Sequence, residues 1–328
     1  MTNTGSAEFS GRRPRVVAIG GGTGLSVMLR GLKKKPVDIT AVVTVADDGG
    51  SSGRLRDEMQ MPPPGDIRSV ITALAESEPL LSEMLQYRFT NGTGLAGHSL
   101  GNLILAALRD ITGDFVTGVK ELSRVLAVRG KVLPASHDSI VLMAKMKDGA
   151  VVQGESKIPR YGGRIERVFL KDPDVKPLPE AIEAIRAADA IVLGPGSLYT
   201  SVLPNLLVPG ITEAIRAAPA VKVYICNVMT QPGETDGYTA SDHVAALTDH
   251  VGGRLFDVVI VNRAEVPRHV RSLYAEKGAD VVLPDVDRLQ ALGYETIADD
   301  LILFQGVLRH DAAKLSEHIY RLAAGRRR

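Results

Sequence analysis

The sequence predicts an α/β protein: a doubly wound, mostly parallel Rossmann-like sheet with a helical and β-hairpin insertion. Three observations carry this reading. The apolar run Val16-Val17-Ala18-Ile19 closes on Gly20-Gly21-Gly22-Thr23-Gly24, and Leu25 to Leu32 continues with helical spacing. The β-branched run Ile39–Val45 follows, completing strand, helix and strand within about 30 residues, the length of a parallel βαβ unit. Short apolar runs alternating with amphipathic stretches return at about residue 178 and continue to the end. The chain therefore reads as one domain over residues 14–328, with an inserted helical and β subdomain at about 54–175. Residues 1–13 are small and polar and are expected to form a disordered tail.

Taken in order, Val16–Ile19 is the first strand, Thr23–Leu32 the first helix and Ile39–Val45 the second strand. Ala46–Gly53, rich in Asp, Gly and Ser, reads as a loop, and Met61-Pro62-Pro63-Pro64-Gly65 as a rigid connector. Asp66 is a candidate N-cap for a helix over Ile67–Ala75. Leu80–Phe89, Ser99–Ile111 and Asp114–Ala127 continue as helices. Lys131–Pro134, Ile140–Met146, Ala150–Glu155 and Arg164–Leu170 read as strands of the insertion, with Asp148-Gly149 as a hairpin turn. Helices then fall at Pro179–Ala188, Ile211–Ala217, Ser241–Val251 (capped at Ser241 or Asp242), Glu265–Glu276 and Ala312–Ala323. Strands fall at Ala190–Leu193, Val221–Cys226, Phe256–Val261, Asp280–Leu283 and Leu301–Phe304.

Composition removes several function classes. The chain of 328 residues has no Trp, 4% aromatic residues and a net charge of +1. It thus has neither stacking platforms nor a global field for a polyanion, and no nucleic-acid partner is expected. The single cysteine, Cys226, excludes an intrachain disulfide and a cysteine-only zinc site, and its apolar setting reads as core. No apolar run reaches the roughly 18 residues needed to span a bilayer, and Met1–Ser10 lacks the apolar region of a signal peptide. The expectation is a cytoplasmic protein without a membrane partner. The basic runs Arg12-Arg13-Pro14-Arg15 and Arg326-Arg327-Arg328 read as solvated tails.

In an open parallel sheet ligands bind outside the carboxyl ends of the strands. Four predicted strands end in loops of Gly, Asp, Ser or Asn, which places a small-molecule site there. In the first loop, Gly21, Gly22, Thr23 and Gly24 offer amides and a helix N-terminus to a phosphate. Leu25 stands where a dinucleotide fingerprint has its third glycine, so no NAD is expected; the alternative is a tight turn. In the second loop, Asp47 and Asp48 are catalytic candidates if the protein is an enzyme, and Asp48 is a candidate Mg²⁺ ligand. Arg54 is a candidate phosphate ligand that could equally pair with Asp57 or Glu58. The third loop, Gly194-Pro195-Gly196-Ser197, is a second phosphate-type turn, and Asn227 and Thr230 in the fourth are candidates for a base or sugar. His98 and Asn102 share a helical face; His98 reads as a phosphate ligand, an acid or a structural hydrogen-bonding group. His243 and His250, seven apart, read as non-functional residues of a surface helix.

Together, Gly20–Gly24, Asp47-Asp48, Gly194 to Pro204 and Asn227-Val228-Met229-Thr230-Gln231-Pro232-Gly233-Glu234-Thr235 match in order and spacing the 2-phospho-L-lactate transferase (CofD) superfamily. The resemblance covers about residues 14–320. Asp48 to Arg56, Pro64-Gly65-Asp66-Ile67-Arg68 and Gly97-His98-Ser99-Leu100-Gly101-Asn102 resemble its YvcK-like gluconeogenesis-factor branch. The transferase resemblance implies Mg²⁺-dependent transfer of a phospholactyl group from a nucleotide diphosphate to a deazaflavin hydroxyl. The branch resemblance implies binding of uridine diphosphate sugars, notably UDP-N-acetylglucosamine, in support of cell shape and gluconeogenic growth. A homodimer is compatible with it. Either way the diphosphate is expected between Gly22–Gly24 and Gly194–Ser197.

Overall fold

The computed structural model describes residues 12–76, 78–304 and 306–325. Its strands are β1 (Arg15–Gly20), β2 (Asp38–Val43), β3 (Lys131–Pro134), β4 (Leu142–Met146), β5 (Val151–Gln153) and β6 (Ile165–Leu170). They continue as β7 (Ala190–Leu193), β8 (Val221–Ile225), β9 (Val258–Asn262), β10 (Glu295–Asp299), β11 (Ile302–Phe304) and β12 (Leu308–His310). Seven of them form a sheet in the order β10-β9-β8-β7-β1-β2-β3, and every neighbouring pair is parallel. From the central seam the chain winds outward twice, from β1 to β2 and from β7 to β8. Their connections leave in opposite directions, so a crevice opens above the β1–β7 seam. Strands β7 and β9 are buried throughout, as helices on both faces require. Alternation divides them between two cores: Val17, Ile19 and Leu193 face one side, and Val16, Ala18 and Val192 the other.

Helix α1 (Gly22–Leu32) joins β1 to β2, and the excursion from β2 carries α2 (Gly50–Met59), α3 (Gly65–Leu74), α4 (Pro79–Gln86), α5 (Leu100–Thr112) and α6 (Phe115–Val125). The chain then returns to the main sheet as edge strand β3, whose Val132 aligns with Ala41. Lys131–Pro134 therefore does not belong to the insertion, as the sequence suggested. The inserted strands form a separate antiparallel sheet, β5-β4-β6. Its hairpin turns at Asp148-Gly149 as expected: Gly149 has φ +90° and Asp148 accepts from the Ala150 N–H.

Other expectations are corrected. The presumed loop Ala46–Gly53 is helical from Gly50 onward. Asp66 is not a cap; α3 starts at Gly65 and Asp66 lies in its first turn. Thr239, not Ser241 or Asp242, caps the helix Ala240–Val251, in a capping box with Asp242. Asp280–Leu283 makes only an isolated bridge, Met229 to Val281. Helix Ala240–Val251 is not a surface helix on the side of its histidines: His243 and His250 are both buried. His250 donates from Nδ1 to the Ala246 carbonyl and accepts the Val168 N–H at Nε2. Most of the expected tail, residues 1–11, lies outside the described residues, as do Arg326–Arg328. Arg12, however, is docked, with its guanidinium forked onto Asp189 at 2.8 and 3.0 Å.

Helix α1 fixes the first glycine loop and lies against the closing helix Ala312–Gly325 with almost no clearance. A Cβ on Gly31 would stand 2.2 Å from the Ala312 carbonyl oxygen. Gly31→Ala should destabilise the fold by about 1–3 kcal/mol in urea titrations, because rigid backbone must move. An unchanged midpoint would mean that this helix pair is loosely seated.

Candidate functional site

The loops after β1 and β7 meet backbone to backbone. A Cβ on Gly24 would lie 2.8 Å from the Pro195 carbonyl oxygen, and one on Gly196 3.2 Å from that of Gly21. Only glycine permits this approach. The two loops, between which a diphosphate is expected, touch at this point and line one cleft together as its rim. Asn227, at the end of β8, clamps the rim from behind. Its Nδ2 donates to Gly196 O at 2.8 Å and its Oδ1 accepts the Gly196 N–H at 3.2 Å. Asn205 ties the rim to β1, donating to the carbonyls of Gly20 (3.2 Å) and Ser201 (2.7 Å). Ser197 donates to Gln231. Glu234 closes the set by accepting from the Tyr199 N–H and the Thr200 hydroxyl, at 3.2 and 3.0 Å. Burial pushes its carboxyl up to about 7 against those hydrogen bonds.

In front of the rim lies a cleft of about 490 Å³. Thr23, Gly24, Pro195, Gly196, Ser197, Asn227 and Thr230 belong to its lining. The rest of the lining, which sequence reasoning missed, includes Tyr274, Lys277, Val307, Leu308 and Arg309. It is built by helix Arg268–Ala275 and the β11–β12 hairpin. Leu308 and His310 of β12 are buried and Arg309 between them is exposed, the alternation of a strand with one covered face. The Leu308 N–H donates to the Tyr274 hydroxyl at 3.0 Å, and His310 Nε2 donates to Cys226 O at 3.2 Å. Burial holds His310 neutral, down to about 4. The side chains of Arg309 and Lys277 make no hydrogen bond or ion pair among the described residues, so the cleft has two uncommitted cations. A larger cavity of about 870 Å³ lies at the amino ends of β1 to β3, away from these loops.

Asp47, Asp48, Arg54, His98 and Asn102 do not line the cleft. They gather beside it, under the loop after β2. Asp47 Oδ1 accepts the Gly49 N–H at 2.9 Å, and Asp48 Oδ1 accepts the Ser156 N–H at 2.8 Å. Asp66 packs beneath the first glycine loop, so a Cβ on Gly21 would be 2.3 Å from its Oδ2. Its carboxyl is pushed up to about 7 by burial and then by Asp47, with the Gly22 N–H acting in the opposite sense. Glu155 is pushed up to about 8 by burial and by Asp47, Asp66, Glu234 and Asp48. Asp66 and Glu155 were not singled out as site residues; Asp66 looked like a cap, and Glu155 had no motif around it.

Three candidates have their polar atoms committed elsewhere. Arg54 donates to the Ala96 carbonyl at 2.8 Å instead of facing the rim. Thr230 lines the cleft, but its Oγ1 accepts the Asp280 N–H at 2.8 Å and its own N–H donates to Asp280 O at 2.7 Å. His98 Nδ1 lies 3.0 Å from Ser51 Oγ. Among the described residues no three His, Cys, Asp or Glu are grouped to hold a metal by themselves, and no helix is long and apolar enough to cross a membrane. The carboxylate oxygens nonetheless suit Mg²⁺, which takes one or two carboxylates and completes its shell with water and substrate phosphates.

The comparisons agree with this architecture. A gluconeogenesis factor of Halalkalibacterium halodurans is 61% identical over 309 residues, covering 94% of this chain and 96% of that protein. The Bacillus subtilis gluconeogenesis factor is 58% identical over 307 residues, covering 93% and 97%. A crystal structure of a UPF0052 family member from Bacillus halodurans superposes with a TM-score of 0.92 at 60% identity, covering 94% of this chain and 99% of that one. The family model described as 2-phospho-L-lactate transferase CofD matches residues 16–302. With the two glycine loops, the Asp47-Asp48 pair and the Asn227 loop on one edge of the sheet, the chain belongs to the CofD family and is akin to its gluconeogenesis factors.

Proposed function

We propose that the cleft binds a nucleoside-diphosphate sugar, UDP-N-acetylglucosamine foremost, and that the protein is a regulatory binding protein supporting cell shape, envelope synthesis and gluconeogenic growth. One observation supports the reading: the amino end of α1 and the Gly196-Ser197 turn share one cleft with a tyrosine and two uncommitted cations. The diphosphate lies along Gly24, Gly196 and Ser197, within the cleft that Arg309 and Lys277 also line. The phenol ring of Tyr274 and the apolar Val228 and Leu308 suit a flat uracil. The printed name of the relatives, gluconeogenesis factor, supports the physiological half of the proposal. Asp47 and Asp48 would hold Mg²⁺, which neutralises phosphate charge when bound.

Calorimetric titration with UDP-N-acetylglucosamine, UDP and GDP, with Mg²⁺ and with chelator, tests this. UDP-N-acetylglucosamine should bind and be recovered unchanged, and Arg309→Ala should weaken it at least about tenfold, the loss of one charge-assisted contact. Absence of heat with all three nucleotides removes the proposal.

The carboxyls favour one second reading, a Mg²⁺-dependent CofD-type transferase. An acceptor hydroxyl would attack the phosphorus bearing the lactyl group, and nucleoside monophosphate would leave with the bridging oxygen. Glu155, at about 8, is matched to exchanging the hydroxyl proton near neutral pH. Consumption of a GDP- or UDP-activated donor in the same samples would select this reading.

A further inference from the structure

Ser51 is the second residue of α2 and sits where the amino ends of α2 and α5 meet. Its Oγ takes two donors, Asn102 Nδ2 at 3.1 Å and the Ser99 N–H at 3.4 Å. His98 Nδ1 lies 3.0 Å from the same oxygen. A hydroxyl accepts at two lone pairs and has one proton to give. With both lone pairs engaged, that proton goes to His98 Nδ1. His98 is therefore an acceptor, neutral, with its own proton on Nε2. All three side chains are sealed in: Ser51, His98 and Asn102 are 3%, 4% and 2% exposed.

The surroundings oppose an imidazolium. Burial is the largest cause, followed by Arg54 on α2 and Arg88 on the segment after α4; only Glu58 on α2 acts the other way. No acidic residue occupies the first turn of α5. The amino ends of α2 and α5 add positive potential of the same sign. A protonated His98 would present Nδ1–H to an oxygen that must then surrender its proton elsewhere. Asn102 Oδ1, buried without a partner, is the acceptor at hand. Taking that proton requires the Asn102 amide to rotate, which strands its NH₂ in the same sealed spot. Protonation thus reverses the whole chain of hydrogen bonds at a penalty.

We propose that His98 is a positioning residue, a neutral imidazole that latches the amino end of α2 to that of α5 through Ser51, holding the Asp47–Gly50 loop beside the rim, and that its protonation releases the latch. The inference deepens the nucleotide-binding reading in its functional half, whereas the latch itself stands on the hydrogen bonds alone. It also explains why the β2 loop can turn through Gly50, at φ +48° where a Cβ would meet only open space, and still be held in place. The loop is anchored one residue later.

The test is histidine ¹⁵N NMR on the full chain between pH 4.5 and 8.5, with His98 assigned through His98→Gln. His98 should show the Nε2–H tautomer and a midpoint below the ordinary value of about 6.5. Ser51→Ala removes the proton given to Nδ1, and the midpoint should rise. Asn102→Asp supplies a carboxylate that takes the Ser51 proton, so the chain runs the other way and the midpoint should rise by about one unit or more. An Nδ1–H tautomer, or a midpoint unmoved in both variants, overturns the latch. In parallel, UDP affinity should fall on the acid side of the His98 midpoint in the native chain. His98→Gln, whose amide oxygen also accepts from Ser51, should bind UDP with no such fall. If UDP binds and both pH profiles coincide, the positioning role is overturned. If UDP does not bind at all, the nucleotide reading falls while the NMR result still decides the latch.

Discussion

Gly24→Val should abolish nucleotide binding in a chain that remains folded. Gly24 is the third residue of α1, and a Cβ there would stand 2.8 Å from Pro195 O, 3.1 Å from Pro195 C and 3.3 Å from Gly196 N. All three are backbone atoms, so no rotamer change relieves the clash. The two loops must separate, and with them the rim proposed to hold the diphosphate. Overpacking of this kind costs about 1–3 kcal/mol, which a large domain tolerates. Affinity should fall by more than about a hundredfold, since several aligned contacts are lost together. Gly22→Ala is the control. Its φ of +68° strains any side chain, but the nearest atom, Ser201 Oγ, is 3.7 Å away, so a smaller loss is expected. Titration by calorimetry and a urea unfolding curve on each variant give the answer. Native affinity in Gly24→Val would show that the loop junction does not form the site.

The second large effect is on the pH dependence of stability. Asp66 and Glu155 have carboxyls raised to about 7 and about 8, mainly by burial. In the unfolded chain both titrate near 4. Between about pH 4 and pH 8 the folded chain therefore binds protons that the unfolded chain has lost. The stability linked to these groups is complete below about pH 4 and is lost as pH rises through 7 and 8. His310, held down to about 4, works in the opposite sense: its contribution is present above about 6.5 and lost as pH falls toward 4. The native curve mixes the two, so the informative quantity is a difference. Glu155→Gln should match the native chain at pH 5 and gain on it by roughly 1–2 kcal/mol at pH 8.5, a figure discounted for partial exposure of the group. Chemical denaturation at both pH values measures it. A difference that is flat with pH would mean that Glu155 ionises normally, and the proton-exchange role in the transferase reading would go with it.

The sheet was legible where strands are covered on both faces. β1, β2, β7, β8 and β9 are near-continuous apolar runs, because helices seal both sides of them. β10 was missed for the converse reason: Glu295-Thr296-Ile297-Ala298-Asp299 is a polar edge strand that half faces solvent. Asp280–Leu283 misled because its apolar residues split three ways: Val281 packs on a small satellite core around Val228 and Val270, Val282 joins the main core and Leu283 is exposed. Residue types in the loops were legible, because glycine and Asx residues at strand ends have local causes. Side-chain direction was not. Nothing local says that Arg54 turns to Ala96, that Thr230 is spent on Asp280 or that His98 faces Ser51. The wall of Tyr274, Lys277 and Arg309 left no trace in sequence, since a helix and a hairpin distant from every glycine motif supply it.

The β1–β7 seam has a consequence for how the molecule comes into being. Val16 pairs in register with Ala190, so the two halves of the rim are joined only after some 170 intervening residues have been made and gathered. Closing so long a loop is slow relative to forming the local helices within it. During synthesis the nascent chain can thus carry α1 to α6 while still having no rim at all, and binding competence arrives as a late, all-at-once event.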